Sequence, residues 1–198
     1  MRRPADKATT GMTALIEFDT DRLRLRQWRP SDHEPFAALN ADPRVMEFFP
    51  ATLDRKTSDA AAYRYQSQIA DHGWGLWAAE TRAAGDFIGF VGLQPLSASM
   101  PFAPGVEIGW RLAFPHWHRG YASEAARGAL QVAFEQLQLE EIVSFTPVIN
   151  RRSRAVMTRL GMLEVPVTFQ HPNVPTGNAL RPHCLYRLTR GQWTSAHP

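Results

Sequence analysis

Apolar and polar positions alternate with a period of two over Arg22–Arg26, where Leu23 and Leu25 stand between arginines. They do so again over Val106–Leu112, with Val106, Ile108, Trp110 and Leu112 on one face and Glu107, Gly109 and Arg111 on the other. This alternation predicts half-buried strands. From Thr57 the spacing changes: Ala61, Tyr65 and Ile69 recur every fourth residue, and Gly73 stands where a helix C-cap belongs, so a helix is expected. GLWAAE and FIGFVGLQP flank a turn at Ala84-Gly85-Asp86 and predict a hairpin, its second strand interrupted at Gly89 and Gly92. Ser31 with Glu34 fits a capping box opening a helix toward Leu39, and Pro43 suggests another short helix start. Further on, Ala122, Ala126, Ala129, Leu130, Ala133 and Leu137 form one helical stripe, whose small side chains suit close packing on a sheet. A strand in EEIVSFTPV, a basic helix in RRSRAVMTRL ending at Gly161, and a last strand in HCLYRL complete the series. LSASMPFAPG and FQHPNVPTGNALRP read as loops.

This order predicts an α+β fold of mixed α/β layers. Residues 1–19 lack periodicity and are expected to form a mobile N-terminal tail, followed by a single domain over 20–190 and a C-terminal tail over 191–198. The 44% of hydrophobic residues supports a folded core, and the lone Cys184 excludes an internal disulfide framework and a cysteine-based metal site. No metal is expected. There is no apolar run of membrane-spanning length and no signal-like h-region at the start, which makes a cytoplasmic protein without membrane partners the expectation. A net charge of +3 suits a small anionic ligand better than a wrapped duplex, but the arginines between Arg151 and Arg159 keep a nucleic-acid-binding module open as a rival.

WHRGYA, at Trp117–Ala122, leaves the strand at Val106–Leu112 and enters the alanine-striped helix. Gly120 admits close backbone approach, and the N–H groups from Arg119 to Ala122 open a helix whose positive end suits a diphosphate. An ordinary tight turn has the same composition, and the spacing alone favours it.

The longer segment GWRLAFPHWHRGYASEA resembles the acetyl-CoA pyrophosphate loop of the GNAT N-acetyltransferase superfamily. More narrowly, it is similar to the branch of ribosomal-protein N-terminal (alanine/serine) acetyltransferases, with their Trp-Gly-X-Gly-Tyr-Ala-(Thr/Ser)-Glu-Ala run. Trp117, Gly120, Tyr121, Ala122, Ser123, Glu124 and Ala125 match that run, and His118 replaces its first glycine. LRLRQWRPSDHEPF, GLWAAE with GDFIGFVGLQ, and NRRSRAVMTRLGM extend the similarity from about Arg22 to about Leu188.

The resemblance implies a mixed, mostly antiparallel sheet splayed open between Val106–Leu112 and Ile142–Val148, with acetyl-CoA as co-substrate in the gap. It also implies an acetyl transfer to a primary amine, a protein N-terminus or a small molecule, by direct attack in a ternary complex. The cofactor contacts it suggests are the strand edge at Trp110, Arg111 and Leu112, the loop at His118, Arg119, Gly120, Tyr121, Ala122 and Ser123, and Asn150 with Ser153. Arg151 or Arg152 would meet the 3′-phosphate. Asn150 equally suits a helix N-cap. Where many superfamily members carry a tyrosine as general acid this chain has Met157, leaving Ser153 as a hydrogen-bond donor to the departing thiolate.

An amine nucleophile must lose a proton before it attacks, and Glu107 is the first candidate for the base, with an ion pair to a neighbouring arginine as its ordinary alternative. His171 and His183 come next, each more often structural than catalytic. Phe48, Phe49, Trp74 and Trp77 are candidates for an acceptor pocket or for core, Trp77 for core. A CoA-bound scaffold without catalysis is a third reading, and a homodimer is compatible with all of them.

Overall fold

The computed structural model describes residues 14–196. Among the described residues, nine strands form one sheet: β1 (Phe18–Asp19), β2 (Leu23–Arg26), β3 (Leu76–Thr81), β4 (Phe87–Pro95), β5 (Val106–Leu112), β6 (Glu141–Pro147), β7 (Leu163–Glu164), β8 (Phe169–Gln170) and β9 (Pro182–Thr189). The spatial order is β1-β2-β3-β4-β5-β6-β9-β7, with β8 also on β9. The α-helices of the described residues are α1 (His33–Ala41), α2 (Arg55–His72), α3 (Tyr121–Gln131), α4 (Arg151–Arg159) and α5 (Arg190–Ala196). This is the α+β fold that the patterning predicts, with the mixed, mostly antiparallel sheet that the resemblance implies.

Most of the expected mobile tail of residues 1–19 lies outside the described residues, but its last part is built into the fold. The Ile16 N–H donates to the Gly73 carbonyl, Trp77 Nε1 donates to the Ile16 carbonyl, and Phe18 pairs with Leu25. The expected C-terminal tail is also corrected as far as Ala196, because α5 buries Trp193 against Phe134. Both ends were under-read because a single aromatic anchor gives no periodicity.

The start of α1 differs from the expected capping box. Pro30–Asp32 forms a 3₁₀ turn, and the Asp32 carboxylate accepts the Arg29 N–H at 2.7 Å. Asp32 is drawn there because it also holds Arg26, so the group that organises this corner is a buried charge rather than Ser31. No helix follows Pro43. The Asp42 carboxylate takes the Arg44 N–H and guanidinium, and its carbonyl takes the Val45 and Met46 N–H groups, leaving turns over 43–50. Helix α2 begins two residues before Thr57, with Asp54 accepting the Thr57 N–H, and ends at Gly73 as expected.

Strand β4 runs unbroken through both of its glycines. A Cβ on Gly92 would lie 2.1 Å from the Gly75 carbonyl oxygen, so this glycine permits a close backbone approach instead of ending the strand. Of the predicted stripe, Ala126, Ala129, Leu130 and Ala133 are buried and Ala122 and Leu137 partly so, with Ala125 buried beside them, so α3 lies close against the sheet. Its last turn, Val132–Gln136, widens to a π-helical turn in which the Leu137 N–H reaches the Val132 carbonyl. The loop from Phe169 to Arg181 carries a short strand, β8, that the sequence pattern does not show.

The sheet is continuous except at one place. β5 and β6 are parallel and bridge only at Glu107 and Val143, whereas β4–β5 and β6–β9 each pair over seven positions. Ser144 Oγ donates to the Ile108 carbonyl at 3.0 Å and marks where contact between the two strands ends. Beyond it they diverge, and the gap is the centre of the molecule's chemistry.

Candidate active site

A cavity of about 1000 Å³ opens between the diverging strands and is continued by the loop before α3, by α4 and by the turns after α1. Alternation along β5 divides it. The Ala113 N–H bonds to Ile88 on the β4 side, whereas the Ile108 and Leu112 carbonyls are bonded from the opposite side by Ser144 Oγ and Trp117 Nε1. The backbone of Ile108, Trp110 and Leu112 therefore faces the gap, while that of Glu107, Gly109 and Arg111 is committed to β4. This corrects the expectation for Arg111, whose backbone faces away, and narrows it for Leu112, whose carbonyl is occupied by the Trp117 indole while its N–H faces the gap. Of the three, Trp110 keeps its peptide groups turned into the gap.

The loop at the other wall is held from behind. Gly120 is the N-cap of α3 with φ of 80°, and no side chain caps the helix, so its first N–H groups lack intrahelical partners. A Cβ there would sit in the strained left-handed region, 3.4 Å from Arg22 Nη2. His118 has a φ of 59°, also left-handed, which accounts for the glycine usual at this place in the resembled motif; its imidazole is exposed. Tyr121, Ala122 and Ser123 line the cavity with His118 and Gly120, whereas Arg119 is exposed and outside the lining.

Arg22 braces this loop. Its Nη1 donates to the Arg119 carbonyl at 3.0 Å and its guanidinium lies 4.7 Å over the Tyr121 ring. Glu124, in the first turn of α3, accepts from the Thr20 hydroxyl and from the Arg22 amide and side chain. Burial alone would raise the Glu124 carboxyl, but these donors outweigh it and hold it below its usual value. Local patterning gives no hint of this clamp, because its two halves are 102 residues apart. Arg22→Ala should weaken CoA binding by about 10-fold, measured by titration calorimetry, while folding stability falls by only about 1 kcal/mol because the pair is half exposed. Unchanged CoA affinity would show that the loop keeps its shape unaided.

At the start of α4, Asn150 is buried and fills the N-cap role: its Oδ1 accepts the Ser153 N–H, its Nδ2 donates to Thr146 Oγ1 at 2.8 Å and Ser153 Oγ at 3.1 Å, and the residue also lines the cavity. Ser153 and the buried Met157 line the cavity one turn apart. Arg152 is tied to Glu47 and lies 4.7 Å over Trp117, so this side chain fixes the turns after α1 to the mouth of the cavity. Arg154 is occupied by Glu164, Tyr186 and the Val148 carbonyl. Arg159, overlooked in the sequence, donates to Ser123 Oγ at 3.2 Å beside the first turn of α3.

On the far face of β5 stands Glu107. It lines the cavity, burial pushes its carboxyl up to about 7, and Gln94, opposite it on β4, donates to Oε1 and only partly offsets that rise. No ion pair involves it among the described residues, so the ordinary alternative for this side chain does not hold.

His171 and His183 also reach the cavity, with ring centroids 4.7 Å apart among Phe145 and Phe169. Burial lowers His183 to about 4, against the opposing bond between its Nδ1 and the Arg181 carbonyl; burial lowers His171 too. A base so weak is poorly matched to neutral solution. Phe48 and Phe49 line the cavity, while Trp77 is core, as expected, and Trp74 packs against the core. Cys184 is buried and burial raises its thiol, consistent with an inert core residue. Among the described residues there is no group of three or more His, Cys, Asp or Glu side chains placed to hold a metal, and no helix long and apolar enough to cross a membrane.

A splayed sheet with an uncapped helix end on one side of the gap and a half-buried carboxylate on the other is the arrangement that the resemblance to the GNAT superfamily implies. The family model for the acetyltransferase (GNAT) domain matches residues 22–163, and the chain belongs to that family of N-acetyltransferases. Bacillus subtilis YkkB, itself uncharacterized, is 32% identical over 76% of this chain and 87% of its own. The FsC-acetyl coenzyme A-N(2)-transacetylase of Aspergillus fumigatus is 30% identical over 82% of this chain and 72% of its own. Among solved structures, an acetyltransferase from Agrobacterium tumefaciens is 26% identical, with a TM-score of 0.71 over 92% of this chain and 99% of its own.

Proposed function

We propose that the chain transfers the acetyl group of acetyl-CoA to a primary amine by direct attack in a ternary complex, with Glu107 as general base. The observation that carries this is the position and state of Glu107: a half-buried carboxylate at the splay, in no ion pair among the described residues and shifted to about 7. Its shift matches the pH at which a base must accept a proton and remain able to release it.

The residues fit the donor substrate. The first N–H groups of α3, the left-handed Gly120 and the clamp of Arg22 on the loop form a fixed cradle for a diphosphate. Trp110 offers the outward peptide groups for an extended amide-bearing arm, and its N–H is the donor of this strand best directed at a thioester carbonyl. Arg159 and the exposed Arg151 supply cations beside the cavity. The name of the Aspergillus relative, which specifies acetyl coenzyme A as donor and a nitrogen as acceptor, agrees with this chemistry.

Glu107 takes the proton that converts the bound ammonium into an amine. The amine nitrogen bonds to the thioester carbonyl carbon, the carbon–sulfur bond breaks, and the electron pair leaves with sulfur. The second nitrogen proton ends on the thiolate or in solvent. Because a thiol ionises near a pKa of about 8.5, the leaving group needs little assistance. Ser153 Oγ, which already accepts from Asn150, has its own proton to offer, and Met157 has none.

A panel of amines incubated with acetyl-CoA should show CoA release that depends on both substrates, together with thermal stabilisation by CoA alone. Stabilisation by CoA without release for any amine would favour a CoA-bound scaffold. Salt-sensitive oligonucleotide binding without a response to CoA would favour the nucleic-acid module. The occupied side chains of Arg152 and Arg154 weigh against that last outcome.

A further inference from the structure

Arg111 is a cation that the reaction does not use. Its side chain leaves β5 on the same face as Glu107 and passes between the rings of Phe49 and Phe90, 4.1 and 5.4 Å from their centroids. Nη1 donates to Asn40 Oδ1 at 2.6 Å, and Asn40, itself fully buried, is anchored by its Nδ2 on Ser58 Oγ at 2.9 Å. Nε is sealed from solvent and donates to nothing, and no Asp or Glu pairs with the guanidinium among the described residues. Burial accordingly pulls its pKa below the usual value. Arg26, by contrast, is buried on β2 but meets two carboxylates.

A guanidinium left in an apolar wall without a counter-ion is costly unless an anion arrives to pair with it. The wall around it, formed by Val45, Phe48, Phe49, Tyr65 and Phe90, lines the same cavity as Glu107 and lies on the acceptor side of β5. We infer that the acceptor is an amino carboxylate with an apolar body, its amine at Glu107 and its carboxylate at Arg111. The inference rests on the acetyl transfer proposed above and adds the acceptor's class. The same geometry makes polyamines and other purely cationic amines poor acceptors, since the guanidinium repels them.

The test pairs amino acids with their neutral amides, for example phenylalanine with phenylalaninamide and an ω-amino acid series with its amides. The acids should show kcat/KM higher by at least about 10-fold, as expected for a charge-assisted contact, and Arg111→Met should erase the preference while Arg111→Lys keeps part of it. A second readout needs no turnover: in the presence of CoA, 3-phenylpropionate should raise the thermal midpoint of the wild-type protein and 3-phenylpropionamide should not. Equal use of acids and amides, or equal stabilisation by carboxylate and amide, would overturn the assignment of Arg111. Carboxylate-selective stabilisation with no CoA release from any amine would instead leave Arg111 as an anion site and remove the acetyl-transfer reading.

Discussion

Glu107→Gln should lower kcat/KM by about 10²–10⁴-fold and at the same time stabilise the folded protein above pH 7. The two effects have one origin. In the fold the carboxyl is pushed up to about 7 by burial, whereas in the unfolded chain it ionises near its ordinary value of 4.5. The folded state therefore holds its proton over a pH range in which the unfolded state has released it. Its contribution to stability falls as pH rises from about 4.5 to 7 and stays low above that. The shift corresponds to at most about 3 kcal/mol, which glutamine recovers because it is neutral at every pH. Melting curves at pH 5 and pH 8 check this: wild type and variant should be close at the lower pH and separate by several degrees at the higher, the variant melting later. An inactive variant that is also less stable at pH 8 would mean that Glu107 is a structural residue whose loss disturbs the site indirectly.

The second large effect is on folding. Arg26 is 2% exposed and donates to Asp32 at 2.7 and 2.9 Å and to Glu80 at 2.7 Å. Burial lowers the arginine's pKa, and the two carboxylates more than restore it, leaving it raised overall. Arg26→Met would strand Asp32, itself 1% exposed, in the low-dielectric corner between β2 and α1. Breaking a buried pair in this way costs about 3–5 kcal/mol, or roughly 10 °C for a chain of this size. Urea unfolding should show the loss as a lower midpoint with the slope unchanged. Adding Asp32→Asn should restore part of the stability by removing the stranded charge. A loss below about 1 kcal/mol would show that water enters this corner. Because Asp32 begins the element that carries Asn40 and leads to Phe48 and Phe49, the variant should also raise the acceptor KM more than the CoA KM.

Much of this was legible from the chain alone, and the parts that were not share a physical cause. Strand alternation identified β5, and because a strand's backbone alternates with its side chains, the same pattern already contained the separation of Glu107 from Trp110. The anion-cradle reading of Trp117–Ala122 rested on the strand before it, the helix after it and the resemblance of the downstream NRRSRAVMTRLGM, since the spacing alone favoured an ordinary turn. Contacts between distant segments were hidden: Arg22 with Glu124, Arg111 with Asn40, and Gln94 with Glu107 each join residues whose proximity only the folded sheet creates. The capping box at Ser31 was a sound local inference, overridden by the electrostatic demand of Arg26 on Asp32. The π-helical turn at Val132–Gln136 preserves the hydrophobic stripe, so periodicity had no means of revealing it.

The pH dependence of kcat/KM for acetyl transfer, measured with saturating acetyl-CoA and the best amine of the panel, tests the central claim most directly. A base at Glu107 predicts a rate that rises through an inflection near pH 7, at the value to which burial shifts the carboxyl, and a Glu107→Gln variant that lacks that inflection along with most of its activity. A wild-type profile in which the inflection persists unchanged in Glu107→Gln would contradict it and assign the proton transfer to another group.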